Sequence, residues 1–458
     1  MATSPSPSSA PLDLVIFGGV GDLSVRKLLP ALYMAHLHNN LPEATRIHAL
    51  GRQPWDRQAF NAFVHDKVRD FIDPSALEHA AWLGFLARLN YVCIDATQAS
   101  DFEKLSSALQ PGSDRVYYLA TAPSLFVGIC AHLHGAGLID ERARVVLEKP
   151  LGHDLKSNQA INDTLRRVLK EEQVFRIDHY LGKPSVQNLM ALRFGNVLFE
   201  PLWRRESIAN IQITLAEGLG VGTRGDFYDR TGALRDMIQN HALQLLTMIA
   251  MEPPSSPDAD AIRDEKLKVL RSLKPFDERS VASDVVRGQY RAGAAAGQAV
   301  CGYLEEAKVP ADSRTETFVA LRCEVQNWRW AGVPFYLRTG KRLAHRHAEI
   351  VVNFRPTPHS IFPGTQTPNK FVIKLQPEDG LQLHLLAAKG AVGTGQMATH
   401  AEHLSPVSLN LDFDQAFPTD RVGAYERMLL DALAGRLNLF VRSDEQEQAW
   451  RWVEPILE

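Results

Sequence analysis

Hydrophobic and polar residues follow one pattern in the first part of the chain. A short apolar run spans Leu12 to Phe17, and apolar residues at helical spacing follow between Leu28 and Tyr33. Further apolar runs occur at Val116 to Leu119 and Val145 to Leu147, with helical stretches between them. Buried strands that alternate with helices are typical of a doubly wound parallel sheet. We therefore predict an α/β domain over residues 12–181, preceded by a disordered tail over residues 1–11.

The pattern changes after residue 182. A long helical pattern spans Tyr228 to Met251, and stretches of alternating apolar and polar residues come later. Such alternation is typical of an antiparallel sheet with one covered face. We therefore predict a larger α+β domain over residues 182–458, built on a mostly antiparallel sheet. Its predicted strands are Thr317 to Glu324, Phe335 to Leu337, Glu349 to Phe354, Lys370 to Leu375 and Leu381 to Leu386.

Composition narrows the class of protein. Hydrophobic residues make up 45% and charged residues 22% of the 458 positions, and the formal net charge is -3. These values are ordinary for a globular protein and give no whole-chain argument for a nucleic-acid or membrane partner. Apolar runs of membrane-spanning length are absent from the sequence. The four cysteines are far apart and show no CxxC spacing, which argues against a metal site and fits a reducing, cytoplasmic location.

The first chemical motif is a glycine-rich turn. The first apolar run leads directly into Gly18-Gly19-Val20-Gly21-Asp22-Leu23-Ser24, and the helical pattern follows. Strand, glycine turn and helix together are typical of a Rossmann-like dinucleotide site, where glycines let the pyrophosphate approach the helix N-terminus. The spacing is Gly-x-x-Gly-x-x-Ser, so a plain glycine-rich turn is the alternative. The candidate cofactor contacts are Gly18, Gly19, Gly21, Asp22 and Leu23.

The next strand bears on the choice of cofactor. The stretch Arg46 to Leu50 ends in Gly51-Arg52, where NAD-specific sites usually place an acidic residue. A guanidinium suits a 2′-phosphate instead, so we predict NADP, with NAD as a secondary cofactor. A solvated surface arginine is the alternative. Lys149 follows the strand at Val145 and should lie at the carboxyl edge of the sheet, and Pro150 after it is a candidate cis proline.

A polar cluster spans the predicted domain boundary in the sequence. The segment Arg176-Ile177-Asp178-His179-Tyr180-Leu181-Gly182-Lys183 places a carboxylate, an imidazole, a phenol and an ammonium within six positions. Such side chains can hold an anionic, polyhydroxylated substrate and move a proton. A chance cluster of polar residues is the alternative.

His241 lies on the apolar face of the long helical pattern, at i+4 from Met237 and i−4 from Leu245. A core histidine with satisfied hydrogen bonds is the alternative to a function. A partly buried, neutral imidazole is also a good general base, and Asp178 would orient it if the two segments meet. Asp236 lies roughly 140° around an α-helix from His241, so it would face the same cavity from the edge of that cavity.

Together these segments resemble the glucose-6-phosphate dehydrogenase family. GGVGDLS, EKPLG, RIDHYLGK and DMIQNH occur in the family's order, and the likeness runs from about residue 12 to the C-terminus. Later stretches, including NWRWAGVPFYLRTGK and AYERMLLDAL, also look like the family. The family turn usually reads GASGDL, so Gly19 and Val20 depart from it and predict weaker cofactor contacts. The chain ends at Glu458, earlier than related chains typically do, so we expect fewer contacts from a C-terminal tail.

The resemblance implies oxidation of D-glucose 6-phosphate to 6-phospho-D-glucono-1,5-lactone, the first step of the oxidative pentose phosphate pathway. His241 would take the proton of the C1 hydroxyl while hydride leaves C1 for NADP, and Asp178 would orient His241. The resemblance also implies a homodimer or homotetramer that associates through the large sheet. The implied substrate contacts are His179, Tyr180 and Lys183 for the phosphate, Lys149, Glu217 and Asp236 for the sugar, Lys341 and Arg346 for added positive charge, and Gln376 more weakly.

The sequence leaves two other functions open. One is an oxidoreductase of the same architecture that acts on an unphosphorylated sugar. His179 and Lys183 argue against it, because cations beside the base suit an anionic substrate. The other is a catalytically silent NADP-binding paralogue, against which the presence of both His241 and Asp178 argues.

Overall fold

The structure, a computed structural model, describes residues 11–295, 297–362, 367–388, 404–416 and 422–457. The tail predicted over residues 1–11 lies outside these residues except for Pro11. The chain divides into two compact units. The first comprises residues up to Gly182 together with Ser255–Arg263 and Val422–Glu447, and the second comprises Lys183–Pro254, Asp264–Arg421 and Gln448–Glu458. The boundary predicted between residues 181 and 182 concerns folding domains and stays a prediction.

The secondary structure of the described residues is as follows. The strands are β1 (Leu12–Phe17), β2 (Thr45–Gly51), β3 (Leu89–Cys93), β4 (Asp114–Leu119), β5 (Ala143–Leu147), β6 (Val174–Ile177), β7 (Ile208–Ala216), β8 (Val285–Gly288), β9 (Gly293–Ala295), β10 (Gln298–Val300), β11 (Phe318–Glu324), β12 (Pro334–Gly340), β13 (His347–Phe354), β14 (Lys370–Gln376), β15 (Gly380–Ala388), β16 (Leu404–Asp412) and β17 (Phe440–Val441). The α-helices are α1 (Leu29–Leu37), α2 (Arg57–Lys67), α3 (His79–Arg88), α4 (Phe102–Ala108), α5 (Phe126–Gly135), α6 (Leu155–Arg166), α7 (Pro184–Gly195), α8 (Gly225–Asp229), α9 (Leu243–Ala250), α10 (Ala259–Arg271), α11 (Glu278–Asp284), α12 (Phe413–Ala416), α13 (Ala424–Leu433) and α14 (Ser443–Leu457). Two π-helical segments, Ser24–Leu28 and Leu234–Ala242, directly precede α1 and α9, and short 3₁₀ turns occur at Arg69–Phe71, Pro74–Ala76, Ala99–Asp101, Pro123–Leu125, Glu171–Gln173, Glu200–Leu202, Gly222–Arg224 and Tyr303–Glu305.

The first unit is built on a seven-stranded sheet of order β17-β6-β5-β4-β1-β2-β3. Its strands are parallel except for β17, which runs antiparallel to β6. Both faces are covered, since Leu14 and Ile16 belong to one apolar cluster while Val15 and Phe17 belong to another. The predicted doubly wound parallel sheet is therefore confirmed. Because strand order reverses between β1 and β4, a ligand crevice is expected at their carboxyl ends.

The second unit is built on an eight-stranded sheet of order β16-β15-β14-β13-β7-β12-β11-β8. Its pairs are antiparallel except for the parallel pair of β7 and β12. The prediction of a mostly antiparallel sheet is confirmed, and the five predicted strands correspond to β11–β15. The strands β7, β8 and β16 were not predicted. A separate two-stranded hairpin joins β9 and β10.

Among the described helices, none is long and apolar enough to cross a membrane.

Candidate active site

The glycine turn lies at the point where strand order reverses in the first unit. Gly18 adopts φ +79°, and a Cβ added to it would lie 2.6 Å from the carbonyl oxygen of Ala120, directly after β4. A Cβ on Gly19 would lie 2.6 Å from the Cβ of Ala49. Only glycine fits this backbone and spacing. The glycines therefore let the turn pack directly against β2 and the residue after β4, at the strand ends where a dinucleotide is expected, and the predicted contacts of Gly18, Gly19 and Gly21 with the pyrophosphate stay predictions.

Ser24 secures the turn to the helix that follows. Its buried hydroxyl donates a hydrogen bond of 2.8 Å to the Gly18 carbonyl, and the Gly21 N–H donates to the same oxygen at 2.9 Å. Asp22 is exposed and lies 3.7 Å from the Arg26 guanidinium, and Leu23 forms the N-cap of the first π-helical segment. The predicted contacts of Asp22 and Leu23 with the cofactor stay predictions.

Arg52 is exposed directly after β2. Within the described residues its guanidinium makes no hydrogen bond, so its fork of donors remains available to a phosphate. The Asp95 carboxylate accepts hydrogen bonds from Thr97, which lower its pKa, and the positive charge of Arg52 lowers it further. This arrangement fits the predicted role of Arg52 at a 2′-phosphate, a role that stays a prediction.

The segment after β5 combines a buried acid with a rigid turn. Lys149-Pro150 is a cis peptide bond, as the sequence suggested, and Lys149 is half-buried. Glu148 is buried and accepts a hydrogen bond of 2.6 Å from the Tyr118 hydroxyl. Burial raises the pKa of Glu148. Glu148 was not among the predicted site residues, although the EKP pattern contains it.

The polar cluster after β6 divides into structural and candidate functional residues. Arg176 is buried and bonds Glu171 at 2.6 Å, so it fixes the segment rather than meeting a ligand. Asp178 is only 2% exposed, and its Oδ1 accepts the N–H of Tyr180 at 3.0 Å. The ring of His179 stacks on that of Tyr425, with centroids 6.2 Å apart. Tyr425 was not predicted, although it lies in the family-like stretch AYERMLLDAL.

In the second unit, Lys183 reaches the end of β14. Its Nζ donates to the Leu375 carbonyl at 3.1 Å and to the Gln376 Oε1 at 3.3 Å. Burial lowers the pKa of Lys183, and the charge of Arg346 lowers it further, while Asp379 opposes both. The structure thus brings together three predicted substrate contacts, Lys183, Arg346 and the weaker candidate Gln376.

The parallel pair of β7 and β12 brings together two more predicted substrate contacts, Glu217 and Lys341. Ala216 and Gly340 are paired in the register, so the carboxyl ends of these strands meet. Glu217 and Lys341 follow immediately, and the Lys341 Nζ bonds the Glu217 Oε2 at 2.6 Å. Lys341 is 8% exposed, and its Nζ lies 4.9 Å from the centroid of the Tyr228 ring. A carboxylate and an ammonium are thereby fixed side by side at one edge of the sheet.

The helix that carries His241 differs from the expected one. The segment Leu234–Ala242 is π-helical and packs against β7 and β12, and α9 continues from it. Because a π-helix bonds residues five apart, Asp236 and His241 lie one above the other on the same face. The edge position expected for Asp236 assumed an α-helix, and the π-helical turn brings Asp236 closer to the face that carries His241. His241 itself is 1% exposed.

Tyr228 connects these groups electrostatically. Burial raises the pKa of its phenol, and the charges of Asp236, Glu316 and Glu217 raise it further. The phenol therefore stays protonated beside two of the predicted sugar contacts. Tyr228 was not among the predicted site residues, because a tyrosine at the start of a helical pattern cannot be distinguished by sequence from a core residue.

Two sets of predicted contacts in the active site remain predictions. Asp178 belongs to the first unit and His241 to the second, so their pairing stays a prediction. The binding of the substrate phosphate by His179, Tyr180 and Lys183 also stays a prediction. Within the described residues, no group of three or more His, Cys, Asp or Glu side chains is arranged to hold a metal ion.

Comparison with known proteins shows which family the chain resembles. Residues 15–188 match the family model for the glucose-6-phosphate dehydrogenase NAD binding domain, and residues 190–458 match the model for its C-terminal domain. Glucose-6-phosphate 1-dehydrogenase from Mycolicibacterium smegmatis is 48% identical, covering 100% of this chain and 92% of the relative. The enzyme of that name from Rhizobium meliloti is also 48% identical, covering 98% of this chain and 90% of the relative.

Two solved structures are similar over the whole chain. Glucose-6-phosphate 1-dehydrogenase from Mycobacterium avium has a TM-score of 0.82 at 37% identity, covering 98% of this chain and 92% of that one. A glucose-6-phosphate dehydrogenase in complex with its substrate glucose-6-phosphate has a TM-score of 0.89 at 32% identity, covering 99% of this chain and 92% of that one. Because the two family models together match residues 15–188 and 190–458, the chain belongs to the glucose-6-phosphate dehydrogenase family.

Proposed function

We propose that this chain oxidises D-glucose 6-phosphate at C1 with NADP⁺ and releases 6-phospho-D-glucono-1,5-lactone and NADPH. The observation that carries the proposal is the match to relatives named glucose-6-phosphate 1-dehydrogenase along the whole length of the chain. The geometry of each unit supports it. The first unit offers an open glycine turn and an exposed arginine, and the second offers fixed charges that suit a phosphorylated sugar.

The proposed roles follow from the chemistry of each group. His241 takes the proton from the C1 hydroxyl, and Asp178 orients the imidazole and stabilises the imidazolium. Bound NADP⁺ accepts the hydride that leaves C1. Glu217 and Asp236 accept hydrogen bonds from sugar hydroxyls. Lys183, His179 and Tyr180 bind the 6-phosphate, with Lys341 and Arg346 adding positive charge, and Lys149 contacts both sugar and cofactor.

The residues of the first unit fit the dinucleotide. Gly18 and Gly19 let the turn pack against β2 and the residue after β4, which places the start of the following helix at the strand ends where a pyrophosphate would bind. Gly21, Asp22 and Leu23 continue this turn into the helix. Arg52 presents an exposed guanidinium after β2, which suits the 2′-phosphate and favours NADP over NAD.

Absorbance at 340 nm tests the reaction. The purified protein is mixed with glucose 6-phosphate and either NADP⁺ or NAD⁺, with glucose as the control substrate. The proposal expects a rise that requires the phosphate and is faster with NADP⁺. A rise with glucose alone would favour an oxidoreductase of unphosphorylated sugars. No rise with either cofactor, in protein shown to be folded, would favour the silent paralogue.

We also propose that copies of the chain associate through the eight-stranded sheet as a dimer or tetramer in the cytoplasm. Apolar side chains exposed on two of its strands support the association. Val286 on β8 and Leu409 on β16 are each 61% exposed. Light scattering of the purified protein gives the mass that tests it.

A further inference from the structure

The short turn that carries Arg52 is held by side chains of the neighbouring strand. β2 and β3 are parallel, and Ala49 pairs with Tyr91 while Gly51 pairs with Cys93. The Tyr91 hydroxyl donates to the Gln53 carbonyl at 2.9 Å, and the Cys93 thiol donates to the Arg52 carbonyl at 3.7 Å. The carbonyl groups of two consecutive residues, Arg52 and Gln53, are thus bonded by side chains on one face of β3.

The ring of Tyr91 fixes the other side of the turn. Its centroid lies 5.8 Å from that of Trp55 and 5.1 Å from that of Phe60. Tyr91 is 8% exposed, and burial raises its pKa to about 12, so its hydroxyl stays a donor at neutral pH. A Cβ on Gly51 would lie 2.7 Å from this hydroxyl, so glycine at position 51 makes the contact with Gln53 accessible.

We propose that Tyr91 is a positioning residue for cofactor choice, because its hydroxyl fixes the turn from which Arg52 reaches the 2′-phosphate of NADP. The inference rests on the proposed function in one respect, the role of Arg52. A guanidinium binds phosphate through two parallel hydrogen bonds, and these need a fixed direction of approach. The unphosphorylated ribose of NAD makes no such demand. Loosening the turn should therefore weaken the binding of 2′-phosphorylated nucleotides selectively.

Calorimetric titration with two nucleotides tests the inference. 2′,5′-ADP carries the 2′-phosphate, and 5′-AMP lacks it. Tyr91→Phe removes only the hydroxyl, and we expect it to raise the Kd for 2′,5′-ADP by about 3- to 10-fold. The Kd for 5′-AMP should stay within about 2-fold, since 5′-AMP has no 2′-phosphate for Arg52 to bind. In an Arg52→Ala background, Tyr91→Phe should change neither Kd, because its effect passes through Arg52.

Tyr117→Phe is the matched control. Its hydroxyl also bonds a backbone carbonyl, that of Leu138 at 2.9 Å, but on β4 and away from the Arg52 turn. It should leave the ratio of the two Kd values unchanged. An equal loss for both nucleotides in Tyr91→Phe, or the same loss in the Arg52→Ala background, would overturn the inference. So would a wild-type protein that binds the two nucleotides equally.

If Tyr91→Phe does not fold, Cys93→Ala carries the test. It removes the weaker bond to the turn and should raise the Kd for 2′,5′-ADP by about 2-fold, with that for 5′-AMP unchanged. A parallel change in both would again overturn the inference. Because these titrations need no turnover, a protein that distinguishes the nucleotides but does not oxidise glucose 6-phosphate would disprove only the proposed function.

Discussion

The two π-helical segments among the described residues lie beside different kinds of proposed site. Ser24–Leu28 follows the glycine turn, where the proposed contact with the cofactor is made by the backbone and an added Cβ on Gly18 or Gly19 would lie 2.6 Å from neighbouring atoms. Leu234–Ala242 carries Asp236 and His241, and here the π-helical turn aligns two side chains. In the first region, the proposed role requires that side chains be absent. In the second, the proposed role requires the side chains of Asp236 and His241.

This difference predicts opposite sensitivities. In the glycine turn, adding a methyl group should be harmful, and the harm should appear as weaker cofactor binding. In the helix of His241, removing a side chain should be harmful, and the harm should appear in kcat. Measuring both quantities in each variant therefore tests whether the two regions have the separate roles proposed for them.

The largest expected effect is in the second region. His241→Asn should lower kcat by roughly 10²–10⁴, because the base that takes the C1 proton is lost, while the KM for glucose 6-phosphate stays close to that of the wild type. NADPH formation at 340 nm measures both constants. His134→Asn, an exposed histidine in the last turn of α5, is the matched control and should behave as the wild type. Activity that survives His241→Asn would remove His241 from the role of base.

The next effect is in the first region. Gly18→Ala places a Cβ at φ +79° and 2.6 Å from the Ala120 carbonyl oxygen, so the turn has to distort. Such strain costs about 1–3 kcal/mol, and we expect the Kd for NADP⁺ to rise by roughly 10- to 100-fold. Fluorescence titration with NADPH measures the affinity directly.

Gly128→Ala is the control for this substitution. Gly128 lies in α5, has no positive φ, and a Cβ on it would meet nothing within 4 Å. It should leave NADPH affinity unchanged. If Gly18→Ala lowers kcat but keeps normal affinity, the glycine turn is not where the cofactor gains its binding energy.

The same contrast explains what the sequence could predict. The glycine turn, β1 and α1 are consecutive, so their arrangement followed from local pattern alone. Glu217 and Lys341 are 124 residues apart, and they meet because β7 and β12 are parallel neighbours. Periodicity indicates which face of a strand is covered but not which strand lies beside it. The pairing of these two residues therefore came only from the fold.

Two further features of the fold were not indicated by the sequence pattern. Over nine residues, the apolar pattern of Leu234–Ala242 suits an α-helix as well as a π-helix, so the alignment of Asp236 with His241 was not foreseen. β17 contains only Phe440 and Val441, too few residues for any period to appear, yet it adds a strand to the first sheet. Short elements depend on tertiary contacts, which a single sequence does not display.

A positive charge elsewhere in the second unit, on Lys183, should matter for substrate affinity. Lys183→Ala should raise the KM for glucose 6-phosphate by about 10-fold, because a charge-assisted hydrogen bond to the phosphate is lost, and should leave any oxidation of glucose unchanged. The comparison of the two sugars at 340 nm measures the effect. Lys67→Ala, an exposed lysine at the end of α2, is the control. An equal loss with both sugars would place Lys183 outside the phosphate site.

The smallest expected effect distinguishes the role of the Tyr228 ring from that of its hydroxyl. The Lys341 ammonium lies 4.9 Å from the centroid of the Tyr228 ring, a geometry that stabilises the cation by about 0.5–2 kcal/mol. Tyr228→Leu should therefore raise the KM for glucose 6-phosphate by about 3-fold with kcat unchanged, because Lys341 is less firmly held beside Glu217. Tyr228→Phe keeps the ring and should stay within about 2-fold of the wild type. If Phe is as harmful as Leu, the hydroxyl that faces the charges of Asp236 and Glu217 is the important group, and Tyr228 contributes to the site through hydrogen bonding rather than through its ring.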